Sequence, residues 1–90
     1  MNKDQLIKQA KAVLNNNLQN GFTIPRAKLY PFQWNWDSGF VSIGFANYDV
    51  DAAISEINSL FSGQWENGMI PHIIFHSENE TTYFPNWDFW

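Results

Sequence analysis

The chain contains no cysteine, so neither a disulfide framework nor a thiolate zinc site can hold it together. That absence fits a reducing compartment. Basic residues are scarce: five Lys and Arg against nine Asp and Glu leave a formal net charge of −4. Nucleic acids and anionic membranes select for Lys/Arg stripes, so neither is an expected partner. No apolar run approaches the roughly 20 residues of a membrane span. The opening MNKDQLIKQAK also lacks the uninterrupted apolar core of a signal peptide, which makes the cytoplasm the expected location. Ninety residues amount to at most one small domain, and a chain of this length buries only about 60–65% of its unfolded surface.

What the chain has in excess is aromatic side chains, at 18% of its residues. They crowd into residues 30–48 and 61–90, whereas the first turns carry none. Aromatic-rich clefts with sparse charge are typical of ligand sites.

Residues 4–19 have helical periodicity, with Leu6, Ile7, Ala10, Val13, Leu14 and Leu18 on one face and Asn20-Gly21 as the stop. Residues 22–35 lack clear periodicity and carry Pro25 and Pro31. Tyr30, Phe32, Trp34 and Trp36 alternate like a strand, but Pro31 and the absence of an evident partner favour an extended loop lining a cleft. The segment WDSGFVSIGFAN, residues 36–47, is apolar or small all round, as a buried helix is, with Asn35, Asp37 or Ser38 as its N-cap. Asp49 then caps a third helix with the stripe Val50, Ala53, Ile54, Ile57, Leu60 and Phe61, ended by Gly63. Only Tyr48 and its neighbours separate the last two helices, which predicts a tight helical hairpin over residues 36–63. Residues 64–90 are loop-like, with turn signals throughout; IIF suits a short extended piece for which no partner is evident.

The predicted class is therefore all-α: a leading helix over 1–21, a loop over 22–35, a hairpin over 36–63 and an irregular tail over 64–90. Three helices are few for so many large rings. The second wants cover on every side, so the chain is expected to be the N-terminal part of a larger domain. A small self-contained helical bundle is the competing expectation.

Asp37 admits two compatible roles. Its carboxylate suits a helix cap, worth about 0.5–2 kcal/mol. Between Trp34, Trp36 and Tyr30 it also suits a sugar, because carboxylates accept paired hydroxyl hydrogen bonds while indole faces stack on the C–H face of a pyranose. His72 and His76 are four apart, but Pro71 and the turn signals disfavour the helix that would aim both at one metal. Glu78 and Glu80 read as solvated loop, and the Asn79-Glu80-Thr81 acceptor means little without a secretory signal. No Ser/His/Asp order, phosphate loop or dinucleotide fingerprint occurs, so no cofactor is expected. Glycoside hydrolysis needs two carboxyl groups about 6.5–9.5 Å apart for inversion or about 5–5.5 Å for retention. Asp37 and Glu66 are not assigned as such a pair, since Glu66 lies in an exposed-type ENG turn.

The strings YPFQWNWDSGF, GFAN, LFSGQWENGMIPHIIF and YFPNWDFW, in that order, resemble the N-terminal part of the mannosylglycerate and glucosylglycerate hydrolases. These are relatives of glycoside hydrolase family 63, with (α/α)6-barrel catalytic domains of the six-hairpin type. The resemblance is strongest from Leu29 to Phe75, with Tyr83-Phe84-Pro85 and Phe89-Trp90 in support. It implies a helical-hairpin fragment of such a barrel, belonging to an inverting hydrolase of an α-glycoside of glycerate, with a small sugar substrate as partner. Carried over by motif, Trp34, Trp36 and Asp37 hold the sugar, Tyr30 contacts the glycerate end, Gln33 adds a polar contact and Tyr83 is a weaker aglycone candidate. Gln64 and Trp65 either shape the rim or pack. In that family the general acid is an Asp and the general base a Glu, both much further along the barrel. No catalytic residue is therefore expected in this chain, and alone it is expected to be inactive. A free-standing carbohydrate-binding or interaction module is the alternative.

Overall fold

The computed structural model describes residues 2–27 and 30–76. The elements are α1 (Lys3–Asn17), β1 (Gln33–Trp34), α2 (Asn35–Ala46), α3 (Val50–Ser62) and β2 (Ile73–Ile74). The chain is predominantly helical, as expected, with one very small sheet.

Helix α1 starts on a reciprocal cap: the Asn2 side chain accepts from the Gln5 N–H at 2.8 Å, and the Gln5 side chain accepts from the Asn2 N–H at 3.1 Å. It stops at Asn17, earlier than Asn20-Gly21 implied. Leu18 turns extended and bridges to Thr23, and Gly21, at φ +88°, makes the turn between them. A left-handed residue is needed to reverse the chain there, so the glycine serves a local hairpin and not the helix end. The apolar stripe of α1 exists, yet none of its residues is buried among the described residues.

Helices α2 and α3 form the expected hairpin. Asp49 caps α3, its carboxylate accepting from the Ala52 N–H at 3.1 Å, and Gly63 is its C-cap. The cap expected for α2 is not found: its N-cap is Trp34, with no side-chain capping bond. Asn35 instead sends its amide to the Pro71 carbonyl at 3.2 Å, and Ser38 bonds to Glu56. Asp37 remains in the first turn, where its charge still complements the helix dipole.

The helix expected to be buried on all sides is one-sided among the described residues. Ser38, Ser42 and Phe45 are covered, while Trp36, Phe40 and Ile43 are exposed. Ser38 meets Glu56 on the buried Ala53, Glu56 and Leu60 face of α3, while Gly44 faces Leu14 of α1.

The expectation that neither extended segment has a partner is corrected: each is the other's. β1 and β2 pair antiparallel, Gln33 opposite Ile74 and Trp34 opposite Ile73, and the Asn35 N–H continues the ladder to the His72 carbonyl at 2.9 Å. Phe32 and Phe75 meet edge-on beside the sheet at 4.7 Å, adding an aromatic cluster to a core that includes Ile24, Phe32, Trp34, Phe45, Ala53 and Leu60.

Candidate functional site

The β1–α2 junction carries the candidate residues, and the local fold sends them in different directions. Trp34 is buried, with Tyr30 standing edge-on to it at 5.8 Å. Trp36, two residues on in the first turn of α2, is 72% exposed and tilts against Phe40 at 5.0 Å. Asp37 follows it, part-covered. Tyr83 lies outside the described residues.

Trp36 stands between two hollows. One, of about 690 Å³, lies over the loop that follows α3 and is walled by Trp36, Trp65, Met69, Pro71, His72 and Phe75. The other, of about 380 Å³, opens on the far side and includes Asp37 and Phe40 with Leu14 of α1. An exposed indole between two apolar hollows, with a carboxylate on the adjacent residue, can stack on one face of a ring and bond its hydroxyls. Trp65 is on the first hollow's wall, whereas Gln64 donates to the Gly68 carbonyl at 3.0 Å and holds the turn beneath it. The described residues contain no group of three His, Cys, Asp or Glu side chains able to hold a metal.

Gln33 faces the other way. It is 0% exposed, and its amide is the hub of an internal network. Its nitrogen donates to the Ser38 hydroxyl at 3.1 Å, and to the backbone carbonyl and Oε1 of Glu56, both at 3.3 Å. Its oxygen accepts from the Ser59 hydroxyl at 2.9 Å and lies 2.8 Å from His76 Nε2. A carbonyl oxygen can only accept, so His76 carries a proton on Nε2. The His76 ring stacks on Phe22 at 3.7 Å, and loss of water around it lowers its pKa from the ordinary value of 6.5.

Sequence reasoning overlooked Glu56, which is 0% exposed. Oε1 takes the Ser38 hydroxyl, and Oε2 is buried without a hydrogen-bond partner among the described residues. The signal was available, because Glu56 falls three residues after Ala53 and four before Leu60, on the buried stripe of α3. A carboxylate in an apolar register marks a built polar contact.

The chain has close relatives of known name. It is 47% identical over 88 residues to mannosylglycerate hydrolase MGH1 of Selaginella moellendorffii, covering 98% of this chain and 18% of that protein. It is 44% identical over 87 residues to the mannosylglycerate hydrolase of Rubrobacter radiotolerans, covering 97% and 20% respectively. Its fold matches the crystal structure of a GH63 mannosylglycerate hydrolase from Thermus thermophilus in complex with Tris and D-glycerate, with a TM-score of 0.86 and 43% identity over 92% of this chain and 20% of that one. The chain thus spans about a fifth of the length of these relatives, and its three helices correspond to a fragment of the GH63 (α/α)6-type fold. A family model for the mannosylglycerate hydrolase MGH1-like glycoside hydrolase domain matches residues 30–90, from the aromatic stretch onward, and the chain belongs to that family.

Proposed function

We propose that this chain supplies one wall of the sugar pocket of an inverting α-glycosidase acting on mannosylglycerate or glucosylglycerate in the cytoplasm. On this reading it contributes binding groups but neither the catalytic acid nor the base. The carrying observation is Trp36, exposed between two hollows and followed directly by Asp37 in the first turn of α2. The indole takes the C–H face of the pyranose, and the Asp37 carboxylate accepts from adjacent hydroxyls. Tyr30 and Tyr83 serve the glycerate side. Trp34 backs the wall from the core, and Gln33 shapes it from behind through its internal hydrogen bonds.

Inversion requires an acid and a base about 6.5–9.5 Å apart, so that a water fits between the base and the anomeric carbon. Glu56 is sealed in the core, and Glu66 stands exposed in the turn after α3. Both chemical roles are assigned to residues outside this chain. The names of the relatives support the substrate class, and the formal net charge of −4 speaks for a small sugar over a polyanion.

The test is a chimaera in which these 90 residues replace the matching segment of the Thermus thermophilus mannosylglycerate hydrolase. It is expected to hydrolyse mannosylglycerate and to release the β-anomer first, read by proton NMR. Trp36→Ala in the chimaera is expected to lower kcat/KM on the order of tenfold or more, mainly through KM, from the loss of one stacking anchor. The isolated chain is expected to show no turnover. A folded but inactive chimaera, or hydrolysis by the isolated chain, would overturn the reading.

A further inference from the structure

We infer that Glu56 is a positioning residue for the stretch Trp34–Asp37, acting through Gln33 and Ser38. The inference rests on the reading of that stretch as a sugar-binding wall.

The geometry is that of a two-point clamp. Glu56 Oε1 accepts from the Gln33 amide at 3.3 Å and from the Ser38 hydroxyl, and Gln33 and Ser38 also bond to each other at 3.1 Å. One carboxyl group on α3 therefore holds both ends of a six-residue span, from the first residue of β1 into the first turn of α2. The four residues bracketed between the prongs are Trp34, Asn35, Trp36 and Asp37. Ser59, one turn further along α3, holds the oxygen of the same Gln33 amide at 2.9 Å, and His76 joins it from beyond β2. The amide can neither rotate nor slide without breaking several bonds at once.

A buried carboxylate is an expensive way to fill a helix–helix contact. Among the described residues its oxygens meet only a hydroxyl and an amide, and Oε2 meets nothing. An apolar side chain would fill the Ala53–Leu60 stripe at lower cost but could not register residues 33 and 38 against α3. The clamp thus trades stability for a fixed orientation of Trp36 and Asp37. A site whose reacting partners are held by neighbouring side chains is sensitive to displacements of about 1 Å, which can cost on the order of 100-fold in rate.

Two measurements test this. In the chimaera, Glu56→Ala is expected to lower kcat/KM for mannosylglycerate on the order of tenfold or more. Glu56→Gln, which keeps the Oε1 acceptor, is expected to restore it to within about threefold of the parent. Leu60→Ala, a buried apolar truncation on the same helix, is expected to lower the melting temperature while leaving KM unchanged. The 90-residue chain labelled with 15N provides a second readout that needs no activity. There, Glu56→Ala or the milder Ser38→Ala is expected to move the indole N–H resonances of Trp34 and Trp36, and Glu56→Gln to leave them in place. An inactive parent chimaera counts against the sugar-wall reading alone, and the indole resonances then decide the clamp. A Glu56→Ala chimaera with the KM and kcat of the parent, or indole resonances that move no more for Glu56→Ala than for Leu60→Ala, would overturn the inference.

Discussion

Gly63 ends α3 at φ −94° and ψ 7°, a conformation open to any residue, so its glycine is there for space and not for backbone freedom. A Cβ at this position would lie 3.0 Å from Ile74 Cδ1 and 3.0 Å from Pro71 Cγ. Ordinary carbon contacts are about 3.5–4.0 Å, so each neighbour must retreat by roughly 0.5–1 Å. The Ile74 methyl can rotate away. Pro71 is a rigid ring, and its carbonyl is tied to the Asn35 amide at 3.2 Å, so that side moves only as a block. Overpacking of this kind costs about 1–3 kcal/mol. Restricting the unfolded chain returns about 0.4–1 kcal/mol. The net for Gly63→Ala is a loss of about 0–2.6 kcal/mol, with a central value of about 1.3 kcal/mol that lowers the melting temperature by about 5–10 °C in a domain of this size. Gly39, inside α2, is the control, because a Cβ there meets nothing within 4 Å among the described residues. Gly39→Ala is expected to add about 0.5–1 kcal/mol through helix propensity and raise the melting temperature by about 2–8 °C. Thermal melts at 222 nm on the 90-residue chain read both. An unchanged or raised melting temperature for Gly63→Ala would refute the packing of the Pro71–Ile74 segment on the end of α3.

Two further outcomes are expected. Phe45 is 0% exposed at the α2–α3 contact, so Phe45→Ala removes a fully buried ring and costs about 3–5 kcal/mol. Against a total of roughly 5–13 kcal/mol for a domain of this length, it moves the urea midpoint sharply downward; a shift worth less than about 1 kcal/mol would refute its core position. His76 has a depressed pKa in the folded state, so the unfolded chain binds its proton more readily. Its contribution to stability is fully present above the unfolded value near 6.5 and is lost as pH falls through the lower folded value. The melting temperature of the parent is expected to fall over that interval more steeply than that of His76→Gln, and parallel profiles would refute the assignment.

Much of the architecture was legible in the residues. The 3.6-residue stripes announced the first and third helices, the apolar or small run over residues 36–47 announced the second, Asp49 and Gly63 marked the ends of α3, and the crowding of rings beside Asp37 marked the candidate site. Those features are local, because periodicity and capping depend on neighbours a turn away. The helix stop assigned to Asn20-Gly21 failed for a related reason: a glycine that permits a left-handed turn does not say which turn it serves. The caps expected for α2 failed because Asn35 and Ser38 found partners on the distant Pro71 and Glu56, which no spacing near residue 35 reveals.

The pairing of Gln33–Trp34 with Ile73–Ile74 joins two-residue strands across two helices, too short to carry an alternating pattern of their own. Trp36 was expected to hold the sugar and Gln33 to add a polar contact from the same motif, yet Gln33 is sealed against Glu56 and Trp36 stands in the open. The sequence by itself determined that three helices form, which family they belong to and which stretch holds the candidate residues. Only the tertiary structure decided which of those side chains line a hollow and which are sealed in internal hydrogen bonds. That division depends on which distant groups satisfy each buried donor and acceptor, and such partners are chosen by packing, not by position along the chain.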